Sequence, residues 1–155
     1  MGGKEKTFQQ AMEGYKHEAA AVKVATLSWD RDLVFVGETR RGYEIEFDAA
    51  MEWGCMPMES LMLSLAGCMG IDVMSMLKKM RTEVSSFRIE VRGERNPAPP
   101  QYFKAITMTL AIAGKGLTQK LVDRAVALSR GKYCSVYHSL RQDLRVAIVC
   151  QIDEG

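Results

Sequence analysis

The sequence predicts an α+β fold, because strand-like segments lie before and after one long apolar helix and do not alternate regularly with helices. The chain has 155 residues, which is enough for one ordinary domain. Apolar residues make up 47% of the chain and charged residues 26%, as in globular proteins. These observations exclude a disordered or collagen-like chain and predict a packed core.

The charge balance and the N-terminal composition exclude several classes of partner. Twenty-one Lys and Arg residues against 19 Asp and Glu residues give a formal net charge of +2, so we expect no nucleic-acid partner. The longest uncharged apolar stretch, residues 60–71, is shorter than the ~20 residues of a membrane-spanning helix. The N-terminus is polar and lacks a secretory signal pattern. We expect a cytoplasmic protein without a membrane partner, whose four cysteines are not structural disulfides.

The N-terminal residues predict a short polar helix that is separate from the main domain. Phe8, Met12 and Tyr15 follow a helical spacing and form one apolar edge. We therefore divide the chain into an N-terminal helix, residues 1–19, and one domain, residues 20–155. The apolar edge requires a surface to pack on, and a second subunit is one candidate.

Three short strands are predicted next, within residues 22–24, 33–36 and 43–47. The turns between them fall at residues 29–32 and 40–42. In the third strand, apolar Tyr43, Ile45 and Phe47 alternate with two glutamates, which indicates a sheet with one solvated face.

A long helix is predicted over residues 57–81. Pro57 suits the first helical turn, and Glu59 suits the positive end of the helix dipole. The apolar side chains of this segment surround almost the whole helix axis, so we expect it to be buried on all sides. In so short a chain, a helix this long and this apolar suggests that two subunits wrap around it.

The second half of the chain predicts strands at residues 84–92 and 102–113, joined by a proline-rich loop at residues 96–100. Thr118 is a suitable N-cap for a helix that ends near Gly131. A short helical segment begins at Cys134, and a last strand covers residues 144–152.

Cys68 and Cys134 are the cysteines whose sequence context suggests chemistry. Cys68 lies in the long helix between Gly67 and Gly70, each of which costs a helix ~1 kcal/mol relative to alanine. Close approach of another backbone, or access to the sulfur, would explain these glycines. Cys134 begins a short helix beside Lys132, a position that predicts a lowered thiol pKa.

The remaining cysteines and the histidines give no comparable signal. Cys55 and Cys150 are expected to be inert, as most free cysteines are. The chain has no CxxC motif, and its two histidines, His17 and His138, are far apart in sequence. We therefore predict neither a metal site nor a cofactor.

The motifs around both candidate cysteines resemble those of the OsmC/Ohr family of thiol-dependent hydroperoxide reductases. The resemblance is carried by Pro57-Met58-Glu59, by Ser64-Leu65-Ala66-Gly67-Cys68 and by Lys132-Tyr133-Cys134-Ser135-Val136, and it covers about residues 20–152. It implies an OsmC-like fold, an intertwined homodimer in which two sheets surround long buried central helices. It also implies an active site at the subunit interface.

The resemblance further implies the roles of four residues. Cys68 would be the peroxidatic cysteine and Cys134 the resolving cysteine, with an organic hydroperoxide as substrate and an external dithiol as reductant. Arg31 is the candidate for the arginine that holds the thiolate. Glu59 is the candidate for the carboxylate that orients this arginine, although Met58 stands where the family has its glutamate.

Two alternatives stay open from the sequence. A non-catalytic protein of the same fold would bind an apolar ligand at the dimer interface. A thiol-based redox sensor or metal-handling protein would oxidise once without recycling, or would bind zinc.

Overall fold

The computed structural model describes residues 21–153. The predicted N-terminal helix lies outside the described residues. The chain forms two compact units, one that ends at Pro57 and one that begins at Met58.

The first unit contains an antiparallel sheet of three strands in the order β1-β2-β3. The strands are β1 (Ala25–Arg31), β2 (Val34–Thr39) and β3 (Glu44–Asp48). The β1–β2 turn contains Asp32 with φ 41°, and the β2–β3 turn contains Gly42 with φ 81°. Glycine suits the second turn because positive φ carries no steric cost without a Cβ. The second and third predicted strands are confirmed. The first was placed wrongly, because the strand lies at Ala25–Arg31 instead of residues 22–24 and includes most of the predicted turn at residues 29–32.

This first sheet leaves many apolar side chains exposed. Val34 and Asp48 are buried, whereas Trp29, Tyr43 and Ile45 are exposed. The alternation of β3 therefore does not produce a buried apolar face within one chain.

Helix α1 (Pro57–Lys79) starts at the last residue of the first unit and otherwise belongs to the second unit, in which strands β4 (Glu83–Arg95) and β5 (Phe103–Lys115) follow. Helix α2 (Gln119–Leu128) continues as a π-helical segment (Ser129–Tyr133), and helix α3 (Ser135–Ser139) and strand β6 (Arg145–Asp153) follow. The sheet order is β4-β5-β6. Strand β6 pairs parallel to β5, so the intervening helices form the crossover that parallel pairing requires.

The core of the second unit lies between α1 and the sheet. Leu65, Met69, Val73 and Leu77 recur every four residues on one face of α1 and are fully buried. They belong to one hydrophobic cluster with alternate residues of β5, with Val122 and Ala125 of α2, and with Cys134.

The sequence predicted that helix α1 is buried on all sides, but within one chain only one face of it is buried. Leu63 is 65% exposed and Ile71 is 51% exposed. The helix is also long and apolar enough to cross a membrane, a property that core helices of soluble proteins share. Here its buried face packs in the hydrophobic core of the second unit, while the opposite face is accessible.

Candidate functional site

Two thiols and one carboxylate meet in the interior of the second unit. The Sγ atoms of Cys68 and Cys134 and a carboxylate oxygen of Asp72 all lie within 4.8 Å of one another. Both cysteines are free thiols in the structure. The fold thus brings together the two cysteines that the sequence singled out.

Cys68 lies halfway along α1 and is half-buried. A Cβ added at Gly67 would meet nothing within 4 Å, and one added at Gly70 would reach only the side chains of Ile89 and Phe87. Neither glycine is therefore required by a close backbone neighbour among the described residues. Of the two reasons predicted for these glycines, access to the Cys68 sulfur is the one compatible with the single chain.

Cys134 is fully buried at the junction between the π-helical segment and α3. Its backbone N–H donates to the carbonyl oxygen of Ser129 at 2.8 Å. Its sulfur accepts a hydrogen bond from the backbone N–H of Tyr137 at 3.4 Å, so the thiol caps α3. The wider π-helical turn is a local departure from α-helix that is often found at functional sites.

The expectation that the helix start lowers the Cys134 pKa is wrong. The pKa of the Cys134 thiol is raised from its ordinary 9.0 to about 12, mainly by burial and to a smaller extent by the neighbouring Cys68 and Asp72 groups. The Tyr137 N–H lowers the pKa, but its effect is smaller than that of desolvation. Cys134 is therefore a protonated thiol at neutral pH.

Asp72 is the site residue that sequence reasoning missed. It is 1% exposed, and the Ser129 hydroxyl donates a hydrogen bond to its Oδ2 at 2.8 Å. One signal was available: Asp72 follows Cys68 by four residues, which places both side chains on the same helix face. A lone acidic residue in the middle of an apolar helix is a second signal, because a buried carboxylate requires hydrogen-bond partners.

Arg31 lies in the first unit, at the end of β1. It forms an ion pair with Asp30, and its guanidinium carbon lies 5.7 Å from the centre of the Trp53 ring. Its role toward a thiolate stays a prediction.

Glu59 is exposed in the first turn of α1. It precedes Cys68 by nine positions, and at ~100° per residue two side chains so spaced point to opposite sides of the helix. Its role as the orienting carboxylate also stays a prediction.

The other two cysteines have separate surroundings. The Cys55 thiol lies in the first unit, 3.7 Å from the carbonyl oxygen of Glu46. Cys150 is half-buried on β6, and burial raises its pKa, with a smaller contribution from Asp123. Neither belongs to the thiol–carboxylate cluster, so both serve as control positions.

An apolar groove of about 410 Å³ opens beside the start of α1. Leu61, which lines this groove, precedes Cys68 by seven residues, or about two helical turns, and so lies on nearly the same face of α1. Two arginines, Arg95 and Arg141, also line the groove. Much of its wall is apolar and is formed by Met58, Leu61, Phe103, Leu140 and Leu144.

Comparison with known proteins places the chain in a family. Residues 49–149 match the family model of the OsmC-like proteins. The Escherichia coli (strain K12) protein YhfA is 33% identical over 123 residues, which cover 79% of this chain and 92% of YhfA.

Solved structures share the fold. A hypothetical protein from Aquifex aeolicus VF5 has a TM-score of 0.80 and 30% identity, over 88% of this chain and 99% of its own. An organic hydroperoxide resistance protein OsmC from Legionella pneumophila has a TM-score of 0.61 and 15% identity, over 86% of this chain and 98% of its own. The α+β prediction and the resemblance drawn from the cysteine motifs are thereby confirmed, and this chain belongs to the OsmC family.

Proposed function

We propose that this protein is a thiol-dependent peroxidase that reduces organic hydroperoxides in oxidative stress defence. The observation that carries the proposal is the meeting of the Cys68 and Cys134 sulfur atoms within 4.8 Å. A sulfenic acid formed on one cysteine would have a second thiol within reach of a side-chain rotation. That arrangement suits a reaction that uses two thiols and no cofactor.

The reaction proceeds in two steps that balance in atoms and electrons. The Cys68 thiolate attacks one oxygen of the hydroperoxide, the O–O bond breaks, and the alkoxide takes up a proton and leaves as an alcohol. Cys68 is then a sulfenic acid. The Cys134 sulfur attacks the oxidised sulfur, an S–S bond forms, and water leaves. An external dithiol reduces this disulfide by thiol–disulfide exchange and is itself oxidised.

The different exposure of the two residues supports giving their thiols different steps. Cys68 is half-buried, which favours it as the thiol that a substrate reaches, whereas Cys134 is fully buried and protonated. The attacking thiol must be accessible, while the resolving thiol needs only to reach its neighbour. The Asp72 carboxylate, held by Ser129, has an oxygen within 4.8 Å of both sulfurs, so a small side-chain rotation would let it accept a proton during the exchange.

The groove at the start of α1 supports an organic substrate. Its walls are largely apolar, which favours a bulky hydroperoxide over hydrogen peroxide because burying an apolar tail releases ordered water. Leu61 lies on nearly the same helix face as Cys68, so a substrate tail in the groove would extend along α1 toward the sulfur.

We also propose that the protein works in the cytoplasm as a homodimer. Leu63, Gly67 and Ile71 recur every four residues on α1 and form an accessible stripe that we call the α1 stripe. A contiguous apolar surface of this kind marks an interaction site, and a second copy of α1 is the partner that the proposal assigns.

The test is the reaction of reduced protein with cumene hydroperoxide. We expect one equivalent of hydroperoxide to consume two thiols per chain. Cys68→Ser abolishes thiol loss, whereas Cys150→Ser and Cys55→Ser, as matched controls, leave the rate unchanged. Unchanged consumption of hydroperoxide by Cys68→Ser would overturn the proposal.

A second candidate function is favoured by the same groove. A non-catalytic family member would hold an apolar ligand there without reacting with peroxide. Native mass spectrometry of the purified protein separates the two, because a retained lipid-like ligand together with inert thiols supports binding alone.

A further inference from the structure

We propose that reduced Cys68, Cys134 and Asp72 form a binding site for one Zn²⁺ ion. The three side chains offer two sulfur atoms and one carboxylate oxygen, all within 4.8 Å of one another. A central ion would draw these atoms inward by small side-chain rotations, since zinc–sulfur bonds measure about 2.3 Å and zinc–oxygen bonds about 2.0–2.2 Å. This inference does not depend on the peroxidase proposal, because it requires only the reduced thiols and the carboxylate.

The donor set selects the class of metal. Thiolate sulfur is a soft ligand that suits Zn²⁺, whereas Mg²⁺ and Ca²⁺ require sites made of oxygen atoms. Three protein ligands also leave the fourth tetrahedral position of zinc open. Cys68 is the most accessible of the three ligands, so this position would face the side from which solvent reaches its sulfur.

Ser129 supports the site from behind. Its buried hydroxyl donates to Oδ2 of Asp72 at 2.8 Å, which fixes the orientation of the carboxylate. Metal-binding carboxylates are commonly held by such a hydrogen bond, and its loss weakens metal binding. The carbonyl oxygen of Ser129 also accepts a hydrogen bond from the backbone N–H of Cys134 at 2.8 Å. Ser129 therefore connects two of the three ligands.

Charge favours a cation at this point. The buried Asp72 carboxylate disfavours further negative charge beside it, since like charges repel in a poorly solvated place. A divalent ion reverses this effect. The two thiol protons leave for solvent as the ion binds, and two thiolates plus one carboxylate then surround a charge of +2.

Zinc at this site would affect the reactivity of the thiols. The ion would bind the sulfur electron pairs with which Cys68 attacks the hydroperoxide and Cys134 attacks the sulfenic acid. The zinc-loaded protein is therefore expected to resist oxidation by hydroperoxide until a chelator removes the metal.

The experiment is a Co²⁺ titration of the fully reduced full-length protein under argon, followed by displacement with Zn²⁺. We expect one equivalent of Co²⁺ to produce a sulfur-to-cobalt charge-transfer band and visible bands of tetrahedral intensity, both lost on adding Zn²⁺. Both Asp72→Asn and Ser129→Ala keep the shape of the site. Ser129→Ala, which removes the support of a ligand, should weaken binding by about 10- to 100-fold. Asp72→Asn, which removes the charge of a ligand, should weaken binding at least as much. Cys55→Ser and Cys150→Ser should match the wild type.

Two outcomes would overturn the zinc site. One is the absence of a thiolate–cobalt band in the reduced wild type. The other is an unchanged band in Cys134→Ser that circular dichroism shows to be folded. If Cys134→Ser does not fold, the wild type is instead oxidised with diamide before the titration. A thiolate–cobalt band that persists after the disulfide has formed would contradict the proposal. If the reduced, metal-free wild type binds Co²⁺ but shows no peroxidase activity, the proposed function is overturned and the zinc site stands.

Discussion

At the scale of single residues, the site depends on how two thiols of the same chemistry become different. Cys68 is half-buried on a helix face, whereas Cys134 is fully buried and caps α3 through its sulfur. Desolvation of Cys134 outweighs the favourable Tyr137 N–H, so its pKa rises instead of falling. From its position beside a helix start and a lysine, the sequence predicted a lowered pKa for Cys134. That prediction failed because burial depends on tertiary packing, which the local sequence does not show.

The raised pKa of Cys134 predicts how the resolving step depends on pH. Well below a pKa of about 12, the thiolate fraction rises tenfold for each pH unit, so the rate of disulfide formation should rise by up to tenfold per unit between pH 7 and 9. Stopped-flow mixing of reduced protein with one equivalent of hydroperoxide measures this rate. Trapping of the sulfenic acid by dimedone should decline over the same range. A rate that is flat from pH 7 to 9 would show that Cys134 already attacks as a thiolate.

At the scale of elements, helix α1 carries Cys68 and Asp72, and the sequence predicted this helix from Pro57, from the charges at its ends and from its many apolar residues. The predicted helix, residues 57–81, ends two residues earlier in the structure, at Lys79. The predicted helix that ends near Gly131 instead changes to a π-helical segment at Ser129. A π-helical turn has no pattern of its own in the sequence. The contact between Ser129 and Asp72 could not be predicted from the sequence either, because the two residues are far apart along the chain and only the fold brings them together.

The packing of β4 against β5 and α1 predicts a sharp cost at Gly93. A Cβ at this position would lie 2.3 Å from Cε1 of Phe103 and 2.9 Å from Sδ of Met62. Because Phe103 is buried, its ring has little room to move, and Gly93→Ala should lower the free energy of unfolding by about 1–3 kcal/mol. Urea denaturation measures the change. Gly131→Ala is the control, since a Cβ there meets nothing within 4 Å, and equal stability of the two variants would contradict this packing.

At the scale of the whole molecule, each of the two units leaves apolar side chains accessible in the single chain. The exposed side chains include Trp29 and Tyr43 of the first unit and Leu63 and Ile71 of α1. The sequence predicted a helix that is buried on all sides, and the single chain covers only one face of it. A second subunit would cover the exposed face of α1. The homodimer stays a proposal, and the α1 stripe is the interface that it assigns.

The α1 stripe predicts how the dimer can be broken. Leu63→Glu places a charge in the proposed interface, where burial without a partner is unfavourable, and should shift the protein from dimer to monomer at micromolar concentration. Sedimentation velocity measures the mass. Lys79→Glu, an exposed charge change at the end of the same helix but about 120° around the helix axis from the centre of the α1 stripe, is the control and should remain dimeric. A dimer that is unaffected by Leu63→Glu, or a monomeric wild type, would contradict the assignment of the stripe.

The central claim is that Cys68 and Cys134 form one redox pair, and the most direct measurement is peptide mapping of the oxidised protein. Reduced protein is treated with one equivalent of cumene hydroperoxide, alkylated, digested without reductant and analysed by mass spectrometry. We expect a single cross-linked peptide that joins Cys68 to Cys134, with Cys55 and Cys150 alkylated, because the sulfurs of Cys68 and Cys134 lie within 4.8 Å of each other. Disulfides that involve Cys55 or Cys150, or overoxidised Cys68 beside an alkylated Cys134, would contradict the account.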